Sequence, residues 1–183
     1  MIDLRYRGLP SALEVDGETF RIKTDFRIWI AWLESLEVNQ IAETAIFEDE
    51  VPDGDSWVPV AVAFAKNESS TPHGGSGSTA RAYDFVEDGE YVVGAFQQAY
   101  GIDLTDPELD MHWHRFLALF RSLPSDTVMS QAMAYRTWSK GSKESYDSRM
   151  AKARTAWSLP AKKTVESESI IAWQKEAFGQ IIP

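Results

Sequence analysis

The chain contains no cysteine. It therefore has no disulfide framework and no thiolate ligand for a metal. Histidine is scarce, at three residues: His73, His112 and His114. No stretch approaches the roughly 20 apolar residues of a membrane span. The opening MIDLRYRGLP has no apolar run of the signal-peptide kind. Basic residues are in the minority, 18 against 28 acidic, for a net charge of −10. A field of that sign disfavours nucleic acid and anionic membranes as partners, and favours solubility. Together these absences imply a protein made and used in the cytoplasm.

Large aromatic side chains are present in number, with seven Trp and nine Phe. Each covers roughly 150–250 Å² when packed. The length of 183 residues suits one domain with a sizeable core. The predicted fold class is mainly α: a small helical domain packed around residues 88–138, with an N-terminal β-hairpin. The predicted organisation is one domain over 1–183, with the hairpin at 11–23, a flexible loop at 67–80 and an amphipathic tail at 164–183.

The central prediction is a run of three helices between Tyr83 and Arg136. Tyr91, Val92, Ala95, Phe96 and Ala99 share one helical face. Asp88 stands at its N-cap, and Gly101 stands where a left-handed residue ends a helix. Trp113, Phe116, Leu117 and Phe120 form the second stripe, with Asp106 as N-cap, Pro107 at the first helical position and Pro124 after the end. Asp126 caps the third, which carries Val128, Met129, Ala132, Met133 and Tyr135. Three apolar faces must be buried together.

Upstream, SALEVDGETFRI reads as a hairpin. Leu13 and Val15 alternate before Asp16-Gly17, and Phe20 and Ile22 after it. A lone hairpin is marginal and must lean on a helix. Thr24 or Asp25 opens a helix whose face is Phe26, Trp29, Ile30 and Leu33. Glu34 to Asp55 is acidic. Ser56 is placed to cap a short apolar helix, WVPVAVAFAK. Residues 67–80, NESSTPHGGSGSTA, have linker composition.

After Tyr135 the charge reverses. Arg136, Lys140, Lys143, Arg149, Lys152, Arg154, Lys162 and Lys163 face only Glu144 and Asp147. Ser142 is placed to cap a helix with Tyr146, Met150, Ala153 and Trp157 on one side, closed by Pro160. One reading of this run is a solvated helix face that balances the acidic half. The functional reading is a patch for an acidic partner, with the Glu34–Asp55 region of another copy among the candidates. In the tail, Ile170, Ile171, Trp173, Ala177 and Phe178 give an amphipathic segment. It docks on its own core or folds on a partner.

Candidate chemistry fails on spacing. On a helix, Asp110 and His114 share a face, but His112 points elsewhere, and zinc needs three or four converging ligands. Asp49, Asp53, Gly54 and Asp55 mimic part of a calcium loop, yet Val51 and Val60 occupy positions that need oxygen ligands. Gly74-Gly75-Ser76-Gly77 lacks the Lys-Ser/Thr that follows in a phosphate loop. No nucleophile elbow or acid/base pair stands out. Neither an enzyme, a metal nor a cofactor is expected.

Several ordered motifs resemble a family of proteins of tailed phages and prophages of Gram-positive bacteria. They are Asp25-Phe26-Arg27 with Trp29; Tyr83-Asp84-Phe85 with Asp88; Ala95-Phe96; Tyr100-Gly101-Ile102-Asp103-Leu104; His112-Trp113 with Phe116, Leu119 and Leu123-Pro124; and Tyr135-Arg136. A Lys/Arg-rich helix ending at Leu159-Pro160 is also similar. The family's genes lie between those for the tail-tube and tape-measure proteins. The resemblance implies a tail-assembly, chaperone-like role in virion morphogenesis. It implies the tape-measure protein as partner and the tail-tube protein as a second, and the amphipathic segment Ile170 to Phe178 adds an expectation of self-association. The alternative is a structural tail component retained in the virion. Segments 37–80 and the tail after Pro160 depart from the family pattern. Candidate partner-binding residues are Arg149, Lys152, Arg154, Ile170, Ile171, Trp173 and Phe178.

Overall fold

The computed structural model describes residues 8–37, 45–67, 81–139 and 144–160, with backbone alone for 37 and 144–147. Among these, a two-stranded hairpin precedes six helices, so the fold is mainly α with an N-terminal β-hairpin. The described residues gather into two compact units. The first takes 8–67 and 110–118, the second 81–109 and 119–160.

In the first unit, β1 (Ala12–Val15) pairs antiparallel with β2 (Glu18–Arg21), with Leu13 opposite Phe20. Asp16 and Gly17 have φ of +51° and +88°, the two positive values that a tight hairpin turn requires. Leu13 and Val15 are buried, and β1 packs against α2. The chain then runs extended. Lys23 donates its N–H to Ile46 O at 2.8 Å, and Glu48 donates to Arg21 O at 3.1 Å.

Helix α1 (Phe26–Glu37) is capped by Asp25, whose Oδ1 accepts the Arg27 N–H at 2.8 Å. Of the two candidate caps, Asp25 is the one in place. Its buried face is Phe26, Trp29, Trp32 and Leu36, while Ile30 and Leu33 are half-buried. The sequence reading omitted Trp32. Helix α2 (Trp57–Lys66) follows. Ser56 does not cap it: the residue is in helical conformation, and its hydroxyl donates to Asp16 Oδ2 at 2.6 Å.

The unit's core is aromatic. Trp29 packs against Trp32 (ring centroids 5.5 Å) and Phe64 (4.5 Å). Trp57 meets Phe47 edge-on at 5.3 Å, and Phe26 stacks on Phe116 at 4.8 Å. Four indoles, those of Trp29, Trp32, Trp57 and Trp113, are fully buried.

Helix α4 (Trp113–Arg121) starts later than predicted. Asp106 makes a local turn instead, its Oδ1 accepting the Glu108 N–H at 2.9 Å. An extended pairing holds 110–112: Phe26 N–H donates to Met111 O and Trp113 N–H to Thr24 O. That backbone bonding competes with a helical turn and wins. Asp110 is consequently not on the helix, and the premise that it shares a face with His114 is overturned.

In the second unit, α3 (Gly89–Tyr100) buries Val92, Ala95 and Phe96 and ends at Gly101 with φ +66°. Helix α5 (Val128–Thr137) packs against α3 and against α6 (Glu144–Ala156). The cap of α5 is Thr127, not Asp126. Thr127 Oγ1 accepts the Ser130 N–H at 3.3 Å, and the residue is fully buried. Val128, assigned to the buried stripe, is exposed, and so is Tyr91. The side chain of Tyr146 and residues 68–80, Ser142 and the tail 164–183 lie outside the described residues.

Candidate partner-binding face

The second unit is built around a buried ion pair. Arg136 lies on the α5 stripe with Met129 and Ala132, all three buried. Its Nη1 and Nη2 donate to Asp88 Oδ2 at 2.6 Å and Oδ1 at 2.8 Å. The side chains are 6% and 1% exposed. A bidentate fork suits a planar guanidinium, and the arrangement leaves neither charge uncompensated. Asp88 occupies the N-cap position of α3 but makes no capping bond. It spends its remaining acceptor on the Asp84 N–H at 2.9 Å.

Asp84 continues the cluster. Its Oδ1 accepts the N–H groups of Val86 and Glu87, at 2.9 and 3.0 Å. Its Oδ2 meets Arg81 at 3.3 Å. Two carboxylates and two guanidinium groups balance to zero. Arg136 therefore does not belong to the surface basic run in which its sequence position placed it.

The same guanidinium reaches further. Arg136 Nη1 also donates to Ala82 O at 3.1 Å, and its Nε to Trp157 O at 2.7 Å. Trp157 follows the last residue of α6. Its ring lies 5.5 Å from Tyr91 and 6.2 Å from Tyr135. Arg154 donates to Trp138 O at 3.3 Å, and Arg81 to Pro160 O at 3.0 Å. So α6 is held at its C-terminal end by cations on carbonyls and by one indole between two phenol rings.

The rest of α6 is lightly held. Among its described side chains none is fully buried, and Met150 and Ala153 are half-buried. Arg149, Lys152 and Arg154 are exposed, three cations on the surface of a chain of net charge −10. Of the predicted binding residues, these are the ones the structure places. Ile170, Ile171, Trp173 and Phe178 lie outside the described residues. The spacing of Met129, Ala132 and Arg136 was the missed signal: an arginine on an apolar helical stripe needs a buried acid.

His112 and His114 act locally in the first unit. His112 Nδ1 accepts the His114 N–H at 3.0 Å, which makes His112 the N-cap of α4. Its Nε2 therefore carries the proton and donates to Pro10 O at 2.9 Å. Desolvation pushes the His112 pKa down, against the opposing effects of the Pro10 carbonyl and Asp110. His114 is buried, stacks on Phe64 at 4.2 Å and bonds Phe64 O at 2.8 Å. The Trp113 indole donates to Ala65 O at 2.9 Å. Indole and imidazole thus close the C-terminal carbonyls of α2. Among the described residues no group of three or more His, Asp or Glu could hold a metal ion, and no helix is long and apolar enough to cross a membrane.

What the described residues define is a mainly helical protein with exposed cations on its last described helix. The family model described as Bacteriophage Gp15 protein matches residues 58–159, more than half of the chain. The chain belongs to that bacteriophage family. The match runs from the second residue of α2 through α6 and takes in the whole Asp84–Asp88–Arg136 cluster. No curated protein and no solved structure matches the chain.

Proposed function

We propose that this protein is a tail-assembly chaperone of a phage or prophage of a Gram-positive host, encoded between the tail-tube and tape-measure genes. It binds the tape-measure protein in the bacterial cytoplasm while the tail is built, and it is not an enzyme. Membership of a bacteriophage family is the observation that carries this reading. The exposed cations of α6, Arg149, Lys152 and Arg154, support it. So does the apolar pattern of Ile170, Ile171, Trp173 and Phe178 in the sequence. A tape-measure protein is a long helical chain whose apolar faces are uncovered until the tube closes around it. An acidic helical protein covers such faces by helix-in-groove packing and keeps the complexes apart by charge. About 1,000 Å² of buried surface suffices for a specific contact. Many copies of modest affinity allow release.

The test is co-expression with the tape-measure protein of the same gene cluster, then affinity capture and native mass measurement. A soluble complex with several copies per tape-measure chain is expected. A tape-measure protein that stays insoluble while this protein elutes alone removes the reading. The alternative, a structural tail component, predicts this chain in purified virions by mass spectrometry, where a chaperone is absent.

A further inference from the structure

We propose that the C-terminal segment Ile170–Phe178 docks, within the same molecule, on an apolar platform formed by Tyr83 and Phe85 with Phe120. The three rings pack on one another, with centroids 4.9, 5.0 and 5.1 Å apart. Phe120 is buried, while Tyr83 stays 38% exposed and Val86, on the same turn, 61%. These are two of the four large apolar side chains that stand exposed among the described residues. A single exposed apolar residue is ordinary on a protein surface, but two on one turn beside a ring cluster mark a place for a contact.

The turn is set before anything docks on it. Asp84 Oδ1 holds the N–H groups of Val86 and Glu87, and Asp88 Oδ2 holds that of Asp84. A surface fixed in advance loses little conformational freedom on binding. The same turn also receives the end of the described chain. Arg81 Nη2 donates to Pro160 O at 3.0 Å, and Arg81 Nη1 meets Asp84 Oδ2 at 3.3 Å. One guanidinium thus ties the point where the tail departs to the turn that carries the platform.

The occupant follows from that tie. About ten residues separate Pro160 from Ile170, which is about 33–36 Å of extended chain or about 15 Å of helix. Either length reaches a turn that is bonded to Pro160 through Arg81. A short tether gives an effective concentration on the order of millimolar, so the chain's own tail takes the platform ahead of a second copy. Its chemistry fits. Ile170, Ile171, Trp173, Ala177 and Phe178 recur at the spacing of one helical face, and an indole and a phenyl ring suit a surface of aromatic rings. Residues 161–183 carry three Lys and three Glu, so a chain of net charge −10 does not repel them. Docked, the tail keeps its apolar side chains out of water in the free protein, and that state does not rest on the function proposed above.

Native hydrogen exchange on the full chain tests this, with a synthetic peptide of residues 164–183 as the undocked reference. Amides of 170–178 should exchange at least about tenfold more slowly in the protein than in the peptide. Tyr83→Ser should bring them to the peptide's rate while amides of 92–99 keep their protection. In the reverse direction, Trp173→Ser with Phe178→Ser should speed exchange at 83–87. Tail amides that exchange at the peptide's rate in the wild type overturn the proposal, and so does tail protection that Tyr83→Ser leaves intact. If Tyr83→Ser also loses protection at 92–99, the tail variant decides, and unchanged exchange at 83–87 then ends the proposal. Protection that rises with protein concentration, together with a dimer by native mass, assigns the tail to a second copy and refutes docking within one molecule.

Discussion

Asp88→Asn is the most informative single change in this molecule. The substitution keeps the shape of the side chain and removes its charge. In the native site Oδ2 accepts from Asp84 N–H and Arg136 Nη1, and Oδ1 accepts from Arg136 Nη2. An asparagine oxygen in the first position keeps two of these bonds. Its amide nitrogen then faces Arg136 Nη2, donor against donor. The guanidinium, 6% exposed, is left with two backbone carbonyls and no counter-charge. Removing one partner of a buried pair costs about 3–5 kcal/mol. For a chain of this size that lowers the melting temperature by about 6–20 °C. Thermal melts followed by circular dichroism give the loss, and hydrogen exchange over 84–100 and 128–137 shows where it falls. Replacing both residues, Asp88→Leu with Arg136→Met, should recover part of it, because an apolar pair carries no desolvation cost. A melting temperature within about 2 °C of wild type for Asp88→Asn would show that the pair is exposed to water and that the second unit is organised by something else.

Trp113→Ala should cost about 3–5 kcal/mol as a buried aromatic truncation. Trp113→Phe should cost about 1–3 kcal/mol through the unsatisfied Ala65 carbonyl; urea titrations would have to rank the two in that order. The lowered pKa of His112 sets a pH dependence. The folded state disfavours the imidazolium, so stability is fully present above the unfolded value near 6.5 and falls as pH drops through it, levelling below the folded value. His112→Gln should flatten that slope between pH 7 and 5, and an unchanged slope would assign it to another group. Gly94 inside α3 and Gly101 just after its end should respond in opposite directions: no atom lies within 4 Å of a Cβ added at either, so backbone conformation alone decides. Gly101→Ala forces a positive φ and should destabilise by about 1–2 kcal/mol, while Gly94→Ala should stabilise by about 0.5–1 kcal/mol. Melts that move both the same way would contradict the helix-end geometry.

The parts of the fold that were legible are those set by local chemistry. Asp16-Gly17 demanded positive φ at both turn residues, and the hairpin has it. Gly101 ended α3 for the same reason. The misses arise where distant backbone competes with local preference. Asp106-Pro107 carries a strong helix-start signal, yet residues 110–112 bond as an extended segment to Thr24 and Phe26, and the helix begins at Trp113. Asp88 has the right type for a cap, but an arginine 48 residues away takes its carboxylate. Charge runs were the least reliable guide. Arg136 and Arg149 look equivalent in sequence, but one is buried in an ion pair and the other faces water. Only the periodicity of the α5 stripe distinguishes them.

The end of α2 is sealed from elsewhere in the chain. Asn67 turns left-handed with φ +41°, and its N–H returns to Ala63 O and Phe64 O. Trp113 and His114 take the carbonyls of Ala65 and Phe64. The helix end thus draws on Trp113 and His114 and not on the residues that directly follow Asn67. From its Gly/Ser-rich sequence, the stretch 68–80 is expected to accept a longer or shorter chain without loss to α2, since longer closure adds only about 0.6 kcal/mol per doubling. A Gly/Ser insertion after residue 70 that depressed the melting temperature by many degrees would contradict this.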